Sequence, residues 1–135
     1  MQWLIDIVKA WIVEQGYLTT SFVNRGDPAS YDFDENDLMP GGSWVDLDLS
    51  GIVPEGAEAV LLMVLAIPSG VGKMIKFRKN GNAENKAIAK MISQVTSVEF
   101  AAELIVPLDD DRKIEVLASI VGFDVIAISV VGWWK

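Results

Sequence analysis

SWVDLDLSGIVPEGAEAVLLMVLAI, residues 43–67, carries two strand signals of different kinds with a turn between them. In SWVDLDLS (43–50), Trp44, Asp46 and Asp48 fall on one side and Val45, Leu47 and Leu49 on the other. That is the period of two a half-buried strand imposes. GIVPEGAE breaks the pattern with turn residues. AVLLMVLAI (59–67) then runs apolar without interruption, as expected of a strand covered on both faces.

Outward from this stretch the same grammar repeats. KMIKFRK (73–79) sets Met74, Lys76 and Arg78 against Ile75, Phe77 and Lys79, and NGN (80–82) is a strong turn signal. KAIAKMISQVTS (86–97) is ambiguous between a helix start and a strand; we favour a strand from Met91 onward. SVEFAAELIVPL (97–108), KIEVLAS (113–119) after the charged turn DDDRK, and the closing GFDVIAISVVGWWK supply further strands. Toward the amino terminus, SYDFD (30–34) alternates with Tyr31 and Phe33 on one face, and YLTTSFV (17–23) is closed by NRGDP. About eight short strands separated by Gly, Pro, Asn and Asp predict an all-β antiparallel β-sandwich or jelly roll.

Residues 1–15 differ. Trp3, Leu4, Ile7, Val8, Trp11 and Ile12 recur at spacings of three and four, which predicts a helix stopped by Gly16. The chain thus divides into an amino-terminal amphipathic helix (1–15) and one β-sandwich domain (16–135). The helix either packs on its own domain or meets other copies, since two tryptophans on a short exposed helix need cover. Trp3, Leu4, Ile7, Val8 and Trp11 are the candidate interface. No cleavable signal or membrane span is read: Asp6 and Lys9 interrupt the first run, and no stretch approaches the roughly 20 apolar residues a bilayer requires.

Composition excludes much chemistry. The chain of 135 residues has no cysteine and no histidine. Thiolate metal sites, thiol nucleophiles, the Ser-His-Asp arrangement and the usual neutral-pH general base are therefore closed to it. With 19 acidic and 11 basic residues the net charge is -8, which disfavours nucleic-acid partners. GVGK (70–73) is no phosphate loop: the first glycine of the cradle is replaced by Ile67, and Met74 stands where Ser or Thr would hold magnesium. Gly70 and Gly72 read as a turn. An EF-hand frame from Asp32 fails at Asp37 and Ser43, leaving Asp32, Asp34, Asn36 and Asp37 as turn carboxylates or an irregular calcium site. Glu58, Glu99, Glu103 and Glu115 single out no catalytic pair. Arg25-Gly26-Asp27 matches the integrin tripeptide but is also ordinary turn composition. Trp133 and Trp134, adjacent on a strand, should face opposite ways, one into the core and one outward. The expectation is no catalytic residue, no cofactor and no metal site.

DLDLSGIVPEGAEAVLL, IKFRKNGN, PLDDDRKIEVLAS and the ending VVGWWK together resemble a small β-domain of tailed-phage and prophage virion structural proteins. The resemblance covers residues 17–135 and leaves the helix outside it. It implies a tail-fibre, baseplate or capsid-decoration component, located in the virion, non-enzymatic, homo-oligomeric and often trimeric, that assembles with other virion proteins. It carries over no defined site. The alternative is a carbohydrate-binding module with a lectin-like receptor role, motivated by surplus tryptophan and acidic loops, which would add a glycan partner.

Overall fold

Alternation of apolar and polar side chains builds two layers. The structure, a computed structural model, describes residues 1–14, 21–38 and 41–135, with helix side chains described through Trp11. Helix α1 spans Gln2–Glu14. The strands are β1 (Phe22–Asn24), β2 (Phe33–Asp34), β3 (Val45–Asp48), β4 (Ala59–Pro68), β5 (Met74–Lys79), β6 (Ala89–Ile92), β7 (Phe100–Pro107), β8 (Lys113–Ala118) and β9 (Phe123–Trp134). In the first sheet β9 lies between β4 and the pair β1 and β2, and β7 pairs with the far side of β4. The second sheet has the order β3-β8-β5-β6. Every pairing is antiparallel. With β2-β9-β4-β7 facing β3-β8-β5-β6, the chain is an antiparallel β-sandwich in jelly-roll order with one amino-terminal helix.

The core is the product of that alternation. Val60, Leu62 and Val64 of β4 and Ile126, Ile128 and Val130 of β9 are buried, as are Ile75 and Phe77 of β5 and Ile114 and Val116 of β8. Register puts Val64 beside Ile128 and Phe77 beside Val116, so the inward rows run across strands. Outside the second sheet, Asp46, Glu115 and Arg78 form one cross-strand row. There the Arg78 Nε donates to Glu115 Oε2 at 2.5 Å, and its guanidinium lies 3.9 Å from the Trp44 ring centre. The strands read at 43–50, 73–79 and 113–119 are in place.

Three readings need correction, and a fourth falls mostly outside the described residues. AVLLMVLAI is sealed on one face only: Val60, Leu62, Val64 and Ala66 are buried, whereas Leu61, Met63, Leu65 and Ile67 are half-buried on the outer face. Residues 30–32 are not strand. Only Phe33 and Asp34 pair with β9, and Phe33 packs on the core while Tyr31 is exposed. β6 runs Ala89–Ile92, so it ends almost where a strand was expected to begin. The cause is Ser93, whose hydroxyl accepts from the Lys73 N–H and donates to the Gly70 carbonyl, closing the ladder into the turn at 69–72. The strand expected over 17–23 begins, within the described residues, at Phe22; residues 16–20, including the helix stop at Gly16, lie outside them.

β9 reaches both β1 and β4 because Gly132 has no side chain. A Cβ there would run into the Val23 carbonyl and the Phe22 ring. Phe22 instead lies over the glycine and meets Trp134 at a centroid distance of 5.0 Å.

The turn from β7 to β8 stores a pH dependence. Burial pushes the Asp109 carboxyl up, but hydrogen bonds from the Lys113 N–H, the Asn80 amide and the Asp111 N–H outweigh it, leaving it below the ordinary 3.8. A carboxyl depressed in the folded state stabilises fully above its unfolded value, and that contribution is lost as pH falls through the lower folded value. In urea titrations the unfolding midpoint of the native chain should fall below about pH 4, and Asp109→Asn should flatten that fall. Equal acid slopes in the two proteins would exclude this role for Asp109.

Candidate functional site

The interface residues expected on the helix are exposed. Trp3 is 66% and Ile7 56% exposed, and Leu4, Ile5, Val8 and Trp11 are exposed as well. Every described side chain from Met1 to Trp11 is exposed, the polar ones included. At 100° per residue, Gln2, Asp6 and Lys9 fall in a narrow sector, and the apolar residues between Trp3 and Trp11 sweep an arc of about 200°. That arc is wider than a single supporting surface covers. No described helix is long and apolar enough to cross a membrane.

A second candidate lies on the outer face of the first sheet. β1 and β2 both pair with β9, at 132–134 and 127–128, leaving a gap between them on the β9 edge. Two side chains fill it. The Asp32 carboxylate accepts from the Val130 N–H at 2.8 Å and from Arg25 Nη1 and Nη2 at 2.5 and 2.9 Å. The Arg25 N–H donates to the Val131 carbonyl and its Nη1 to that of Val130. A bidentate ion pair thus stands in for ladder bonds and clasps both ends of the loop at 26–31.

Beneath that loop is a cleft of about 370 Å³ lined by Asp27, Pro28, Ala29, Ser30, Tyr31, Met63 and Ser129. Met63 and Ser129 are cross-strand partners on the outer face. Ser129 is 7% exposed, yet its hydroxyl makes no hydrogen bond among the described residues. Tyr31 is 51% exposed and the Asp27 carboxylate is exposed.

The other sequence candidates resolve into structural roles. Arg25 is committed to Asp32, so Arg25-Gly26-Asp27 is the loop's entry and does not present its arginine. Asp34 accepts from the Asn36 N–H and Asp37 from the Asp34 N–H, a capping box on the short 3₁₀ turn Glu35–Asp37. No group of three or more Asp or Glu side chains gathers to hold a metal among the described residues. Glu103 stands on the outer face of the first sheet and Glu115 on that of the second, too far apart to flank one bond. Gly72, at φ +75°, belongs to the turn between β4 and β5. Of the adjacent tryptophans, Trp133 packs against the core and Trp134 faces out against Phe22.

Sequence reading missed the clasp and the cleft. Arg25 and Asp32 are opposite charges at the two ends of a Gly- and Pro-containing segment, the one local signal for the pair. Ser129 sits in an apolar strand and is marked as unusual only by its polarity.

No protein-family model matches the chain, and no curated protein does. Among solved structures it is similar to the carbohydrate-binding module CBM6cm-2 from Cellvibrio mixtus lichenase 5A, in complex with cellotriose. The identity is 14%, covering 81% of this chain and 95% of that one, at a TM-score of 0.42. It is also similar to the Tobacco streak virus coat protein, at 11% identity, 85% and 83% coverage and a TM-score of 0.37.

Proposed function

We propose that this chain is a non-enzymatic, self-assembling structural protein of a tailed-phage or prophage virion, working in virion assembly or host attachment. The observation that carries the self-assembly is helix α1, whose apolar side chains from Trp3 to Val8 stand in solvent beside a sandwich that already has a complete core. A lone soluble domain seldom leaves a contiguous apolar patch of more than a few hundred Å² exposed. A 13-residue helix is also marginal in water without a packed face. An arc of about 200° matches a helix flanked by two neighbours rather than one, so the assembly is read as a trimer with the helices bundled. The virion assignment draws on the phrase-level resemblance of residues 17–135 to phage β-domains, and on a residue inventory without histidine or cysteine.

Sedimentation equilibrium tests it. The native chain should have the mass of three copies, and Leu4→Asp combined with Val8→Asp should have the mass of one. Both substitutions lie outside the sandwich, so its β-sheet circular dichroism should persist. A native chain that stays monomeric at high concentration, or a double variant that keeps its mass, would remove the reading. Mass spectrometry of purified particles tests the virion assignment separately.

A further inference from the structure

We propose that the cleft between the 27–31 loop and β4 and β9 binds a neutral sugar, with Tyr31 as the stacking surface and Ser129 and Asp27 as hydrogen-bonding partners for its hydroxyls. Ser129, 7% exposed as a residue, presents a hydroxyl without a protein partner among the described residues to the open side of a space large enough for a sugar ring. A hydroxyl that meets only solvent in a concave site is free to bond a ligand atom there. Asp27, Ser30 and the Tyr31 hydroxyl also make no hydrogen bond among the described residues, so donors and acceptors converge on the same space.

The chemistry selects the ligand class. No lysine or arginine lines the cleft, while a carboxylate does, which disfavours phosphates and other anions. Apolar contact is confined to Met63, Pro28, Ala29 and one aromatic ring, too little to enclose a lipid chain. A pyranose has the matching surface: an apolar C–H face for a half-exposed tyrosine, and edge hydroxyls that a carboxylate accepts in pairs. The Arg25–Asp32 clasp fixes the loop before any ligand arrives, which lowers the ordering cost of binding.

Titration of the isotope-labelled full chain with methyl glycosides of glucose, galactose, mannose and N-acetylglucosamine, followed by amide NMR, decides the matter. At least one should shift the Tyr31 and Ser129 amides saturably. Tyr31→Ala should weaken that binding about tenfold, and Ser129→Ala by several-fold; both should leave the unfolding midpoint near native. Absence of saturable shifts with all four probes, shifts confined to other residues, or unchanged affinity in both variants would overturn the proposal. The same titration on the Leu4→Asp, Val8→Asp chain should give native affinity, which keeps the sugar site and the assembly separately testable.

Discussion

Asp32→Ala is expected to lower the unfolding free energy by about 3 kcal/mol, although it removes only a loop side chain. The Asp32 side chain is 10% exposed and the Arg25 side chain 22%. Truncation leaves a guanidinium without its carboxylate and the Val130 N–H unpaired on the edge of β9 that neither β1 nor β2 covers there. Loss of one partner of a buried pair costs about 3–5 kcal/mol. The partial exposure of Arg25, which lets it turn toward water, places the effect at the lower end. Arg25→Ala should cost less, since the carboxylate would still accept from Val130. Asp32→Asn should fall between them, because one amide oxygen can accept from Val130 while the amide nitrogen faces Arg25. Urea unfolding with an unchanged m-value measures all three. A loss below about 1 kcal/mol for Asp32→Ala would be that of an exposed pair, and the clasp would not be what holds the loop. Asp32→Ala should also abolish glycoside shifts at Tyr31, because that ring is the residue next to the clasp.

Asp32 also shows where the sequence stops being legible. SYDFD alternates, and alternation alone places Tyr31 and Phe33 on one face of a strand. The residue between them bonds β9 with its side chain at the Val130 N–H and with its own N–H at the Ile128 carbonyl, while regular pairing starts only at Phe33 and Tyr31 is left in the loop. Its partner Arg25 lies at the far end of the loop at 26–31, where neither helix nor strand spacing applies. β3, β5 and β8 were readable for the opposite reason: their outward positions hold Asp46 and Asp48, Lys76 and Arg78, Lys113 and Glu115, so the solvent face identifies itself. β9 was readable as a strand but not by face. Residues 126–130 are all buried, since the loop, the 3₁₀ turn and β2 cover one side and the second sheet covers the other. The cleft joins residues 27–31 to 63 and 129. Only the closing of β4 onto β9 brings those together, so no local pattern could announce them. The helix was the reverse case, with spacing that marked its apolar arc directly. In the proposed assembly, the number of neighbours covering that arc is set by association and not by the helix's own spacing.

Phe77→Ala should cost about 4 kcal/mol, a larger loss than that expected from Asp32→Ala. The ring is fully buried at the middle of β5, with Val116 and Ala89 beside it in register on the two neighbouring strands. Ala89 is too small to swing into the vacated volume, and Val116 is held by its own pairing with Val45. The sheets cannot close the gap either, because their separation is set by every other inward row. A hollow of about 210 Å³ already borders the ring, between β7 and residues 86–89, lined by Ile88, Ala89 and Val106 among others. Truncation would join that hollow to the interior and admit water beside Val106, adding exposure of apolar surface to the lost packing. Phe77→Leu keeps most of the volume and should cost about 1.5 kcal/mol. The two losses read from urea midpoints therefore separate cavity formation from a mere change of shape. A loss below about 1.5 kcal/mol for Phe77→Ala would mean the sheets relax freely around β5, and the inward rows would then not be a close-packed core.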